Sequence, residues 1–528
     1  MSAVPLLTSS MTNAFKFLID TNVVIGLEDN SPADARLTDL ARKCSTHGVR
    51  LFVDSAVDDD IQRDRDAERR SITLSKLERF ERLAGVPYPD DAELARRYGA
   101  ISSDNDLSDV RLLFCLEQGA ADFLITQDVK LIKRASRCLL SGRVMSVEDA
   151  LVWLRQTFEP TSVELPHVTE QEAYALDRSH PIFDGLRDDY TGFDQWLEKC
   201  ARKHRKCWTV MVGGELAGVV IRKDEARRDA CIQSSGEKIL KLCTFKMAPE
   251  FRGEKFGEHL LKQSLWFAQA NCYDVVYLTA FADKEELISL LQSYGFSQTS
   301  RLQNGELVFE KVLLHGDLNP SSQEDVLDFD RKCYPRFYDG QRAAKYCVPI
   351  KGEYHKKLFP EISFRKVLPL FEGTDLTNEL AATPDQARVP GNCIRKVYLC
   401  RAKASSLRPG DLLFFYLSKD DELEASQSIT TVGIVESVSE CDDASDLIRM
   451  TAKRSVFSRD ELVELAGDSG SPVKVIDFLL VGHSRPTAKL ADLVAGGVFN
   501  GRPPQSIAKL SEDRFLVLKG MLDLGFDA

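Results

Sequence analysis

Apolar runs that close on an aspartate and pass at once into helical sequence recur through the N-terminal quarter of this chain. They constrain its fold more than any other feature. Phe15-Lys16-Phe17-Leu18-Ile19 is closed by Asp20, and Thr21-Asn22 and a second apolar stretch follow. Asp60 lies just beyond Arg50-Leu51-Phe52-Val53, in a segment that turns helical after Asp54-Ser55. Asp109 opens the amphipathic run Val110-Arg111-Leu112-Leu113-Phe114, and Asp128 closes Asp122-Phe123-Leu124-Ile125-Thr126-Gln127. Strand-then-helix alternation predicts an α/β fold with a parallel sheet, where the carboxyl ends of strands and the amino ends of the following helices share one edge. Acids far apart in sequence are therefore expected to converge there. Crowded carboxylates repel one another unless a cation lies among them, and hard oxygen ligands suit Mg²⁺ or Mn²⁺. Such a site activates water for displacement at phosphorus.

The segments FLIDTNVVI, LFVDSAV and SDVRLLFCLEQGAADFLITQDVKLIKRA resemble the PIN nuclease family over roughly residues 14 to 150. The resemblance implies a metal-dependent endoribonuclease domain over residues 1–158, with Asp20, Asp60, Asp109 and Asp128 as metal ligands and catalytic groups. Asp60 stands where the family carries glutamate, and Asp58 or Asp59 are alternatives to it. Asp106, one helical turn before Asp109, is an additional candidate.

At 528 residues the chain is too long for one core, and three or four domains are expected. Hydrophobic content of 43% and charged content of 28% are those of an ordinary water-soluble protein, and no apolar stretch approaches the length of a membrane span. Met1 to Ser10 lacks the basic start and long apolar core of a signal peptide. Thirteen cysteines without a Cys-x-x-Cys pair lead us to expect a reducing, cytoplasmic setting. Cys200, His204 and Cys207 have metal-like spacing at the end of a basic helix, where a structural role is the expectation. The net charge of −12 excludes general coating by nucleic acid and leaves room for a local basic site.

After the linker-like Glu159-Pro160-Thr161, a hairpin pattern runs from Trp208 to Ile221 around Gly213-Gly214, and a strand is predicted over Ile239 to Met247. A glycine-bearing turn then opens a helix at about Glu258. Such a turn presents unpaired N–H groups and the positive end of the helix dipole to a pyrophosphate. APEFRGEKFGEHLL and VVYLTAF…LLQSYGF resemble the GNAT acyltransferases over roughly residues 163–314. The resemblance implies an α+β domain binding acetyl-CoA or another acyl-CoA through Arg252, Gly253, Lys255, Phe256 and Gly257. Three positions depart from the family. Lys255 replaces a loop glycine, Lys284 an asparagine, and Leu291 the tyrosine that protonates the leaving thiolate. Tyr294, next to Gly295, would face elsewhere on a helix.

In the C-terminal third, short strand-like runs at Lys396–Cys400, Leu412–Leu417, Thr430–Val438 and Val473–Val481 are separated by turn-forming residues, which predicts a small β-barrel. NCIRKVYLC, LRPGDLLFFYLS and TTVGIVESV resemble the ASCH/EVE group of PUA-like barrels over roughly residues 345–485. Basic residues gather between Lys345 and Lys419. Lys351, Arg395 and Lys396 are candidates for phosphate contacts, and Tyr354, Tyr398 or Tyr416 for stacking on a base. Residues 486–528 are expected to be a helical extension.

The leading reading is a metal-dependent RNA endonuclease, tRNA-directed by analogy of architecture, with acyl-CoA-binding and RNA-selecting domains. A second is an acyltransferase acting on aminoacyl-RNA or protein beside a degenerate nuclease domain. The third is a toxin-like or antiviral effector controlled by acyl-CoA or by an inhibitory partner.

Overall fold

The structure is a computed structural model. It describes residues 15–26, 34–54, 57, 61–62, 70–71, 74, 77, 80–83, 85–159, 168–363, 393–403, 406–421, 423, 425–467 and 471–526. It divides into two compact units, Met1–Pro160 and Thr161–Ala528.

In the first unit, β1 (Lys16–Ile19), β2 (Arg50–Val53), β3 (Glu81–Arg82), β4 (Phe123–Ile125) and β5 (Val144–Met145) form a sheet in the order β3-β2-β1-β4-β5. Every neighbouring pair is parallel. Phe17, Leu18, Phe123, Leu124 and Ile125 are fully buried, as continuous apolar strands covered on both faces should be. The strand order reverses between β1 and β4. Ligand crevices of open parallel sheets lie at such a reversal, and Asp20 and Asp128 follow these two strands.

The second unit opens with β6 (Val168–Glu172), β7 (Lys206–Val212), β8 (Glu215–Glu225), β9 (Ile239–Met247), β10 (Val275–Ala280), β11 (Ser297–Arg301) and β12 (Leu307–Val312). They pair in the order β11-β12-β10-β9-β8-β7-β6. All neighbours are antiparallel except β9 and β10, which run parallel around the helix Phe256–Ala270.

The remaining strands are β13 (Lys345–Ile350), β14 (Arg395–Cys400), β15 (Leu412–Leu417), β16 (Ser428–Cys441), β17 (Val473–Lys489) and β18 (Ala508–Leu510). Their order is β14-β17-β16-β15-β13-β18. The expected barrel is corrected here: closure would require β14 to pair with β18, and no such pairing exists among the described residues. The long strands β16 and β17 instead bend at register shifts, where an extra residue breaks the ladder. Gly433 lies at one of them, and a Cβ there would come within 2.6 Å of the Phe478 ring. The chain end also departs from expectation. β17 runs through the anticipated boundary at residue 485, and β18 adds an edge strand against β13 between the helices Leu490–Ala495 and Glu512–Lys519.

β15 is buried along its whole length. Leu412, Phe414 and Tyr416 face one apolar cluster, while Leu413 and Phe415 face another. The first cluster is continuous with the core of the preceding sheet, joining Leu260, Leu261 and Tyr294 to Tyr334, Ile394 and Leu479. The two regions expected as separate domains therefore share one core. No described helix is long and apolar enough to cross a membrane.

Candidate functional site

The strongest geometric feature lies between β9 and β10. They pair only at Val275↔Ile239, Val276↔Leu240 and Tyr277↔Lys241, and then separate. Beyond that point β9 continues on β8 as far as Gly218↔Met247, and β10 continues on β12 as far as Ala280↔Leu307. The facing edges of Leu242–Met247 and Leu278–Ala280 thus bound a V-shaped gap in which no strand pairs. Backbone amides along such edges are obligatory hydrogen-bonding groups, and an extended chain carrying amides can satisfy them.

The turn expected to hold a pyrophosphate follows directly on the β9 side of this gap. Arg252 is exposed, Gly253 has φ +85°, and Lys255 caps the helix Phe256–Ala270 in the left-handed conformation at φ +61°. Phe256 is buried in the core and anchors the first turn, while Gly257 lies near Leu290 and Phe245, where a Cβ would make ordinary contact. The first-turn N–H groups of such a helix have no intrahelical acceptor.

Leu291 is fully buried, so no phenol enters the gap at the place where a thiolate acid was expected. Tyr294 faces away from it. Its ring lies in the shared core, 5.5 Å from that of Tyr334 with Arg395 at 5.8 Å, and its hydroxyl finds no partner among the described residues. Lys284 pairs with Asp189 and Asp283, each at 2.9 Å. The phenol that does approach the end of β10 is Tyr190, which sequence reasoning missed. Tyr190 Oη donates to Glu306 Oε1 at 2.6 Å, and Thr279 Oγ1 donates to the same oxygen at 2.9 Å. Tyr190 follows the helix Asp184–Asp189, Thr279 lies in β10 and Glu306 directly precedes β12, so no local motif signals the cluster.

The metal-like spacing near residue 200 is structural. The His204 ring pairs with Glu172, Cys207 donates to the Gln171 carbonyl, and Cys200 lies against the Arg205 guanidinium.

In the N-terminal unit three of the four expected aspartates share one edge. Asp20 is buried; it accepts from Thr126 Oγ1 at 2.6 Å, Asn22 Nδ2 at 2.9 Å and the Thr21 N–H at 2.6 Å. Burial, with the added charge of Asp128, raises its pKa against those hydrogen bonds. Asp128 caps the helix Val129–Arg137 by accepting from the Lys130 and Leu131 N–H groups. The Asp109 carboxyl is pushed up to about 7, first by burial and then by the charges of Asp20 and Asp128. Asp106 is held low by Ser102 and by Arg134, with which it pairs at 2.9 Å. The expectation of a Mg²⁺ or Mn²⁺ centre is corrected in geometry: no group of three or more His, Cys, Asp or Glu among the described residues is arranged to hold a metal ion. The oxygens of Asp20 and Asp128 are already turned onto neighbouring donors. Asp58, Asp59 and Asp60 lie outside the described residues.

The expected RNA contacts are mostly internal. Lys396 is 1% exposed, donates to the Leu358 carbonyl at 2.7 Å and lies over the Phe359 ring, its pKa lowered to about 8 chiefly by burial. Arg395 stands 3.4 Å from Glu436, and Tyr398 donates to the Pro349 carbonyl. Tyr416 is 1% exposed against Phe499. Lys396 and Tyr416 thus lie inside the sheet, while Arg395 and Tyr398 are half-buried. Lys351 is exposed, and Tyr354 packs half-buried on Phe457.

The structure instead gathers a buried polar chain that the sequence did not reveal. His355 Nε2 lies 2.9 Å from Thr430 Oγ1, Thr430 Oγ1 3.2 Å from Thr431 Oγ1, and Thr431 Oγ1 3.0 Å from His483 Nδ1. His483 Nε2 faces Glu361 at 3.7 Å, and Glu361 pairs with Lys262 of the helix Phe256–Ala270. Burial lowers both histidines, His355 to about 3, so both are neutral at pH 7. Burial acts to raise Glu361, but Lys262, Lys396 and His483 together hold it well below the usual range.

Residues 171–296 match the model of the acetyltransferase (GNAT) family. No curated protein matches the chain. Among solved structures, an N-acetyltransferase from Staphylococcus aureus Mu50 aligns at 14% identity, covering 28% of this chain and 98% of that one with a TM-score of 0.23. Ard1 from Thermoplasma volcanium aligns at 18% identity over 28% of this chain and 99% of its own, TM-score 0.22. The ASCH protein from Zymomonas mobilis aligns at 13% identity over 34% of this chain and 96% of its own, TM-score 0.22. The family match falls on the splayed strands and the glycine turn, and residues 171–296 are a GNAT acetyltransferase domain, which implies the use of acyl-CoA.

Proposed function

We propose that the protein is an acyl-CoA-dependent acyltransferase whose cosubstrate lies between β9 and β10 with its pyrophosphate on the turn from Arg252 to Gly257. The parting of β9 from β10 directly before that turn is the observation that carries this reading. The reaction it supports is amide formation. An acceptor amine attacks the thioester carbonyl carbon, the carbon–sulfur bond breaks, the nitrogen releases a proton to the medium and the thiolate takes one from it, since position 291 offers no phenol. The acceptor amine is carried by aminoacyl-RNA or by protein.

Calorimetry of the full chain with acetyl-CoA tests the reading, beside release of free thiol in the presence of amine acceptors. Gly257→Glu sets bulk and negative charge on the first turn and should abolish binding. Absence of both heat and thermal shift at millimolar acetyl-CoA would reduce the domain to a scaffold.

A further inference from the structure

The helix that opens on the acyl-CoA turn carries an acidic residue, Glu258, in its first turn. A carboxylate there complements the helix dipole when the site is empty, but it would repel a pyrophosphate bound to the same N–H groups. The structure turns this carboxylate away. Glu258 Oε2 accepts from the Ile394 N–H at 3.2 Å, and Oε1 lies 3.8 Å from Arg454. Arg454 is itself fixed by donating to the Arg395 carbonyl at 3.3 Å. One helical turn later Lys262, 2% exposed, pairs with Glu361. One turn beyond that, the Trp266 ring stands edge-on to His483 at 5.7 Å. Positions 258, 262 and 266 lie at i, i+4 and i+8 and share one face. That face is held at three levels by residues between 361 and 483.

We infer that Arg454 and Glu361 are positioning residues for acyl-CoA binding: they hold the pyrophosphate turn through Glu258 and Lys262 and keep the Glu258 carboxylate off the phosphates. The inference rests on the acyl-CoA reading of the turn. Its consequence is linkage. Whatever displaces Arg454 or Glu361 in the C-terminal sheet changes acyl-CoA affinity, and acyl-CoA strengthens the Glu258–Arg454 contact by the same factor.

The test uses the full chain and two readouts, acetyl-CoA affinity by calorimetry and amide hydrogen exchange over residues 252–262. Arg454→Gln should weaken acetyl-CoA binding by about 5- to 30-fold and speed exchange in that segment, while Arg454→Lys retains most of the affinity. Adding Glu258→Gln to Arg454→Gln should restore affinity, because the repelling charge is then gone. A purely structural clamp would show no such rescue. Glu361→Gln should reproduce the faster exchange, and Lys262→Met in its place serves if that variant does not fold. Unchanged affinity and unchanged exchange in Arg454→Gln overturn the inference, as does failure of Glu258→Gln to rescue. If the wild type gives no heat with acetyl-CoA, the proposed function falls, and unaltered exchange in Arg454→Gln overturns the clamp separately.

Discussion

Lys255 offers a direct measurement of the proposed acyl-CoA turn. Its φ of +61° places a branched Cα in the left-handed region, where Cβ crowds the following carbonyl at a cost of about 1–2 kcal/mol. Glycine removes that strain but gives the unfolded chain extra freedom worth about 0.5–1 kcal/mol. Lys255→Gly should therefore gain about 0.5–1 kcal/mol net, a rise in melting temperature of about 1–3 °C. The comparison that isolates the backbone is Lys255→Ala. Alanine loses the same ammonium group and the same contacts, yet keeps the Cβ and its strain. Glycine should exceed alanine in thermal midpoint, in urea midpoint and in acetyl-CoA affinity, since both variants lose one cation near the phosphates and only glycine relaxes the turn. Equal stability and equal affinity of the two variants would refute the reasoning, because the position would then not be held in the left-handed conformation.

Asp109→Asn should stabilise the N-terminal unit in a pH-dependent way. With its carboxyl at about 7, the folded state keeps a proton that the unfolded chain releases above about pH 4, so the site opposes folding increasingly from pH 4 to 7. Discounted for partial exposure, asparagine should gain about 1–2 kcal/mol at pH 8 and little at pH 4, read from urea midpoints; equal gains at both pH values would contradict the assignment. Lys311 is fully buried with its ammonium lowered to about 7 by burial, donating to the Lys332 carbonyl. The unfolded chain binds a proton there that the folded chain releases, so stability should rise from about pH 7 to pH 10. Lys311→Met should gain about 1–3 kcal/mol at pH 7, after the lost hydrogen bond, and show a flatter pH profile. Tyr416 separates core from RNA contact. Its buried hydroxyl has no partner among the described residues, so Tyr416→Phe should be neutral or stabilising by about 1 kcal/mol, whereas Tyr416→Ala should cost about 3–5 kcal/mol without a specific loss of RNA affinity.

Short-range pattern decided much of this molecule. The apolar runs closed by Asp20 and Asp128 had to become buried parallel strands, since few other structures hide three consecutive apolar residues on both faces. The glycine turn before Phe256 had to open a helix, and the unbroken Leu412–Leu417 run had to be a central strand. The same pattern could not tell which basic side chains face water. Arg395 and Lys396 look like a surface patch in sequence, but β14 lies beside β17, and Glu436, Glu361 and the Leu358 carbonyl take up their charge inside. Nor could it reveal that β16 and β17 bend without β14 reaching β18, because closure depends on accumulated twist and shear and not on any local run. The parting of β9 from β10, the meeting of Tyr190 with Glu306, and the hold of Arg454 and Glu361 on the helix Phe256–Ala270 all join residues that no spacing rule connects. Each depends on strand register and on a core shared across two sheets, and these exist only once the chain has packed.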